Sequence, residues 1–142
     1  MFAYTIERSA VARTARSVAV CDDRAMQTVL VVDDHPSFRA SARAVLESEG
    51  YDVVGEAEDG ASALAAIAEL QPQVVLLDVQ LPDMTGFDVC AALESRNGSA
   101  PIVILVSSRD ASDYGDLVSA SGARGFVPKA ELSGEAISAL LN

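Results

Sequence analysis

From residue 28 onward, short apolar runs alternate with longer stretches whose apolar residues recur at helical spacing. The runs "TVLVVD" (28–33), "DVVGEA" (52–57), "QVVLLD" (73–78), "PIVILVS" (101–107) and "RGFVP" (124–128) are rich in β-branched and apolar residues, several of them continuous rather than alternating. Continuity is what strands buried on both faces require. Between and after them lie "SFRASARAVLESEG", "GASALAAIAELQ", "TGFDVCAALESRNG", "DASDYGDLVSASG" and "ELSGEAISALLN", each with the apolar spacing of a helix. Gly50, Gly98 and Gly122 close three of these helices, where a left-handed terminal residue carries no Cβ penalty. Strand and helix alternating five times predict an α/β fold, a doubly wound five-stranded parallel sheet with helices on both faces.

Residues 1–27 break the pattern, with small residues and scattered arginines but neither strand alternation nor a helix cap. They read as an N-terminal extension, disordered by composition, ahead of one domain over residues 28–142. The charge divides the same way. The chain carries 10 basic and 21 acidic residues, a net charge of −11, of which residues 28–142 hold −12 and residues 1–27 hold +1. An acidic body with no basic patch excludes direct nucleic-acid binding by phosphate neutralisation, while leaving a basic protein partner open. Cys21 and Cys90 stand far apart in no metal-ligand spacing, so neither a disulfide framework nor a zinc site is expected. No apolar run approaches the ~18–20 residues of a membrane-spanning helix. A cytoplasmic protein with no membrane contact is the expectation.

In an open parallel sheet the functional crevice lies beyond the carboxyl ends of the strands. The first strand ends on Asp33 and Asp34, the third on Asp78, the fourth on Ser107 and Ser108, and Lys129 follows the fifth. No glycine-rich phosphate loop follows the first strand, so neither dinucleotide nor P-loop chemistry is supported. Three carboxylates about 5 Å apart repel by roughly 3 kcal/mol per pair at an effective dielectric of about 20, and a cation relieves that repulsion. Hard oxygen ligands with room for water and phosphate describe a Mg²⁺ site. His35, before Pro36, is assigned to starting the first helix rather than to metal binding. Thr85 is expected to cap the third helix, and Cys90 to be buried.

The order "VVDDHP", "VVLLDVQLPDMTGFD", "IVILVSS", "GARGFVPKAEL" closely resembles the receiver domain of two-component response regulators, over about residues 28–141. The wording is similar to receivers of helix-turn-helix transcriptional regulators. The resemblance implies a flavodoxin-like (βα)5 fold. It also implies a phosphoacceptor function, in which Asp78 takes a phosphoryl group from a histidine kinase or a phosphotransfer protein. A carboxylate attacking phosphorus gives an acyl phosphate. Asp34, Asp78 and the backbone carbonyl of Gln80 would hold Mg²⁺, with Asp33 acting largely through water. Lys129 and Ser107 would serve the phosphoryl oxygens. Such a chain is not an enzyme beyond its own phosphorylation and dephosphorylation.

The same resemblance implies a switch in which the Ser107 hydroxyl moves toward the phosphate and Phe126, three residues before the lysine, turns inward. Many receivers have tyrosine at that position; phenylalanine exchanges only apolar surface. Gln80 and Arg109, two residues after Asp78 and Ser107, stand at positions that tune how water reaches the acyl phosphate. "VPKA" places its proline before Lys129 rather than after it, so the Lys129–Ala130 bond is expected to be trans, a non-proline cis bond costing about 2.5–4 kcal/mol. The fourth helix, fifth strand and fifth helix, with Asp113, Tyr114, Leu117 and Phe126, form the expected surface for a downstream partner or a homodimer. Only about one helix follows Lys129, so any output domain is expected elsewhere, the chain being a stand-alone receiver or a fragment of a longer regulator. Two other classes stay open: a pseudo-receiver or scaffold acting without phosphorylation, and an aspartate-nucleophile phosphohydrolase, whose DxD motif after the first strand is missing.

Overall fold

The computed structural model describes residues 27–96 and 100–142. The expectations for residues 1–26, and for Gly98 as a helix stop, lie outside the described residues. The elements are β1 (Thr28–Val32), α1 (Pro36–Ser48), β2 (Asp52–Ala57), α2 (Gly60–Leu70), β3 (Val74–Asp78), α3 (Gly86–Glu94), β4 (Ile102–Ser107), α4 (Leu117–Ala120), β5 (Gly125–Pro128) and α5 (Gly134–Leu141). Strand ends fall within one residue of those expected from the apolar runs.

The sheet runs β2-β1-β3-β4-β5 with every neighbouring pair parallel. Alternation along buried strands sends successive side chains to opposite faces and builds two cores. Leu30, Val32, Val75, Leu77 and Leu105 pack with Ala63 and Ile67 of α2 and with Val89, Cys90 and Leu93 of α3. Val29, Val31, Leu76, Ile104 and Val106 pack on the other side with Ala42 and Leu46 of α1 and Ile137 of α5. All five residues of β3 are buried, as a central strand covered on both faces must be. The order turns back between β1 and β3, and the ends of those two strands are where a doubly wound sheet opens its crevice.

Local chemistry sets the helix starts. Pro36 begins α1, where its missing N–H would have had no partner. Asp59 and Ser62 form a capping box on α2, and Thr85 and Asp88 form one on α3, so the cap expected at Thr85 is present. Ser133 caps α5 by accepting from the Ala136 N–H, which starts that helix at Gly134, after a separate 3-10 turn at Lys129–Glu131.

The fourth helix departs from its expected form. "DASDYGDLVSASG" folds as a 3-10 turn at Ala111–Tyr114 and a single helical turn at Leu117–Ala120. Gly115 separates them with φ +60° and ψ −128°, a conformation that leaves the helical path and that glycine tolerates without a Cβ clash. Gly50 and Gly122 do stop their helices with positive φ, whereas α2 ends on Gln71 at φ 49°.

Candidate functional site

Asp33 continues the sheet one residue past β1, its N–H donating to the Ala57 carbonyl at 3.0 Å, and the residue is fully buried. Asp78 closes β3 beside it, only 3 % exposed. Lys129 reaches in from beyond β5, its Nζ 2.5 Å from Asp33 Oδ2 and 3.3 Å from Asp78 Oδ2. The ammonium thus forms an ion pair with each of the two carboxylates. The lysine is held over the Phe38 ring, 4.6 Å from its centroid, a cation–π contact that α1 contributes.

The backbone also serves this edge. The Gln80 N–H donates to Asp78 Oδ1 at 3.2 Å. Gly86, at the start of α3, donates its N–H to the Val79 carbonyl at 2.7 Å. A Cβ on Gly86 would stand 2.7 Å from the Asp78 carbonyl oxygen, so glycine is what allows α3 to start this close to the Asp78 backbone.

One potential ligand atom from each of Asp33, Asp34, His35 and Asp78 lies within 4.8 Å of the others. Three carboxylates face one ammonium, leaving the cluster with excess negative charge. Burial, then the charge of Asp33, pushes the Asp78 carboxyl up to about 6, against the opposing pull of Lys129 and the Gln80 N–H. Asp34 Oδ1 is buried without a hydrogen bond, and Asp33 Oδ2 is buried with the Lys129 ammonium against it. A buried carboxylate oxygen without a hydrogen bond, on an edge where three acids outnumber one ammonium, fits a hard divalent cation.

His35 is more involved than the start of a helix requires. It is the N-cap residue of α1 but makes no side-chain cap hydrogen bond. Instead its N–H donates to Asp33 Oδ1 at 2.8 Å, and its Nδ1 lies 3.1 Å from both Asp33 Oδ1 and Asp34 Oδ1. The imidazole therefore sits against two of the three acids, while its side chain stays largely exposed.

Ser107 ends β4 fully buried, and the residue before it pairs with Asp78 in the sheet register. Its Oγ lies 2.6 Å from Tyr114 Oη and accepts the Arg109 N–H at 3.1 Å. Arg109 thus touches the site through its backbone, with its side chain exposed. Gln80 is exposed and pairs with Thr85 across the loop in an isolated antiparallel bridge. Phe126 is half-buried, its ring 6.0 Å from that of Tyr114, which meets Phe87 edge-on at 5.5 Å. Cys90 is buried and its thiol is pushed up to about 11 by that burial, so it is an inert core residue.

Several supporting residues carry no signal in the linear sequence. The Arg39 guanidinium donates to the Asp33 carbonyl at 2.5 Å and to Glu56 Oε1 at 2.8 Å, bracing the end of β1 from α1. Asp83, in the loop after Asp78, accepts the N–H groups of Gly60 and Ala61 at 2.7 and 3.0 Å. It ties that loop to the start of α2, and those two donors hold its carboxyl below the usual range. Only the loop's spacing from another helix start could have suggested the pairing, and spacing does not encode it.

A parallel sheet in this order, with paired acids after β1, a buried aspartate ending β3 and a lysine after β5, defines a class of α/β signalling domain. The chain belongs to the response regulator receiver domain family, whose model matches residues 29–141. It is 45 % identical over 109 residues to the DNA-binding response regulator MtrA of Mycolicibacterium smegmatis, covering 75 % of this chain and 46 % of that one. It is 37 % identical over 111 residues to the virulence transcription regulator BvgA of Bordetella pertussis, covering 78 % and 53 %. The chain thus spans about half the length of these curated relatives. Among solved structures, the signal receiver domain of the response regulator NarL from Mycobacterium tuberculosis superposes with a TM-score of 0.70 at 37 % identity, covering 82 % of this chain and 97 % of that one. The chemotaxis response regulator CheY4 of Vibrio cholerae gives 0.70 at 29 % identity, with 82 % and 96 % covered. Among the described residues no helix is long and apolar enough to cross a membrane.

Proposed function

We propose that residues 28–142 act as a phosphoacceptor receiver in which Asp78 accepts a phosphoryl group from the phosphohistidine of a kinase or phosphotransfer protein. The observation that carries this reading is the setting of Asp78: buried at the end of the central strand beside the Asp33 carboxylate, with the Lys129 ammonium reaching both. An Asp78 Oδ atom would attack phosphorus as the P–N bond to the donor imidazole breaks, leaving an acyl phosphate on Asp78 and a neutral imidazole on the donor once protonated. Asp33, Asp34, Asp78 and the Gln80 carbonyl would hold Mg²⁺, which when bound supplies positive charge for the phosphoryl oxygens. Lys129 would neutralise one of those oxygens, and the Ser107 hydroxyl would donate a hydrogen bond to another. Gln80 and Arg109 flank the site where they can tune the attack of water on the acyl phosphate.

The chain catalyses only its own phosphorylation and dephosphorylation in this reading, and it works in the cytoplasm. Through Ser107 and Phe126, phosphorylation would alter the face made by α4, β5 and α5, and so change a dimer or partner contact; the acidic body does not bind nucleic acid itself. Acetyl phosphate with Mg²⁺ should give a base- and hydroxylamine-labile phosphoprotein in the wild type and none in Asp78→Asn. Equal labelling of the two proteins would overturn the assignment, and absence of label in both would favour a scaffold that acts without phosphorylation.

A further inference from the structure

We infer that Tyr114 is a positioning residue that competes with the phosphoryl group for the single hydroxyl proton of Ser107. The inference rests on the phosphoacceptor reading above and adds to it a residue outside the acid cluster. Ser107 is fully buried, so its hydroxyl has no solvent to turn to. A serine hydroxyl offers one proton and two lone pairs. One lone pair is already used, because the Arg109 N–H donates to Ser107 Oγ at 3.1 Å. The other contact of Oγ among the described residues is Tyr114 Oη, at 2.6 Å. Were Tyr114 the donor, the Ser107 proton would be left buried without an acceptor, whereas the half-buried Tyr114 is the member of the pair with solvent nearby. Ser107 is therefore the donor, and its proton is committed to Tyr114.

A phosphoryl oxygen on Asp78 needs that same proton. The Ser107 hydroxyl cannot donate to both, so its transfer to the phosphate breaks the Ser107–Tyr114 bond, and the strength of that bond is subtracted from the stabilisation of the phosphorylated form. By linkage, phosphorylation frees Tyr114 to the same extent that Tyr114 opposes phosphorylation. The freed ring sits edge-on to Phe87 and tilted against Phe126, directly before the Gly115 break. The competition thus connects Asp78 chemistry to the segment leading into α4.

The test is a double-mutant cycle read by beryllofluoride affinity in saturating Mg²⁺, on the full chain. Tyr114→Phe keeps the ring contacts and removes only the hydroxyl. It should tighten beryllofluoride binding by about two- to tenfold, the range that one neutral hydrogen bond spans, while leaving Mg²⁺ affinity unchanged. In a Ser107→Ala background the same substitution should have no effect, a result that a purely packing role for Tyr114 would not give. Unchanged affinity for Tyr114→Phe, or an equal change in both backgrounds, overturns the proposal while the phosphoacceptor reading stands. A wild type that does not bind beryllofluoride at all overturns both.

Discussion

The acid edge and the segment after β4 are built in opposite ways. Asp33 and Asp78 sit at the ends of strands buried on both faces, and the sheet register brings them together. The 3-10 turn at Ala111–Tyr114 and the single turn of α4 contain no buried residue, and Leu117 is 54 % exposed. One region holds ionisable groups in place against their own repulsion. The other is anchored to it through few contacts, the Ser107–Tyr114 hydrogen bond and the Tyr114 ring among them. Segments with few buried apolar contacts open at low free energy, so chemistry on a rigid edge can be read out by an adjacent segment that repacks easily.

The largest way to test that contrast is through pH. The folded Asp78 carboxyl titrates at about 6, above its unfolded value near 3.9, so the folded state binds more protons between those values than the unfolded one. Without divalent cations, this group's contribution to stability should therefore be full below about pH 4 and be lost as pH rises through about 6, on the order of 3 kcal/mol. Mg²⁺ should restore it at pH 7, and Asp78→Asn should flatten the metal-free profile. Urea midpoints that rise from pH 4 to pH 7 without metal, and equally in Asp78→Asn, would remove the strained acid edge.

A pair of glycine substitutions separates the regions next. Gly86→Ala places a Cβ against the Asp78 carbonyl oxygen and should destabilise by about 1–3 kcal/mol, as overpacking does, with slower phosphorylation because the Asp78 backbone must shift. Gly115→Ala meets no atom within 4 Å and carries only the backbone strain of φ +60° with ψ −128°, about 1–3 kcal/mol, with phosphorylation rate retained. Thermal unfolding and acetyl phosphate kinetics on both variants check this, and equal loss of labelling rate would erase the distinction.

The smallest expected effect belongs to Leu117→Ser, which removes exposed apolar surface and should change stability by less than about 0.5 kcal/mol. Its consequence should appear instead in self-association, as weaker dimerisation with beryllofluoride by sedimentation. Unchanged association would take Leu117 out of the contact surface.

The strands were legible because burial on both faces leaves a one-dimensional trace, a continuous apolar run, and their ends carried the acids into view. Thr85 and Pro36 were legible because caps and first turns are local. The fourth helix misled because its apolar spacing persists across Gly115, where the backbone leaves the helical path. Arg39, Phe38 and Asp83 were silent, since each acts on a partner brought near only by the sheet or by packing against it. His35 looked like a residue that only begins a helix, and its ring turned out to lie against Asp33 and Asp34.

What the sequence by itself determined is the inventory and its order: five apolar strands, the acids at the ends of the first and third, Ser107 at the end of the fourth and Lys129 after the fifth. These follow from local periodicity and adjacency. Only the tertiary structure decided that the Lys129 ammonium enters between Asp33 and Asp78 over the Phe38 ring, and that Ser107 faces Tyr114. Such pairings depend on side-chain directions from elements far apart in sequence, and a hydrogen bond of 2.6 Å across seven residues of irregular backbone has no periodic signature.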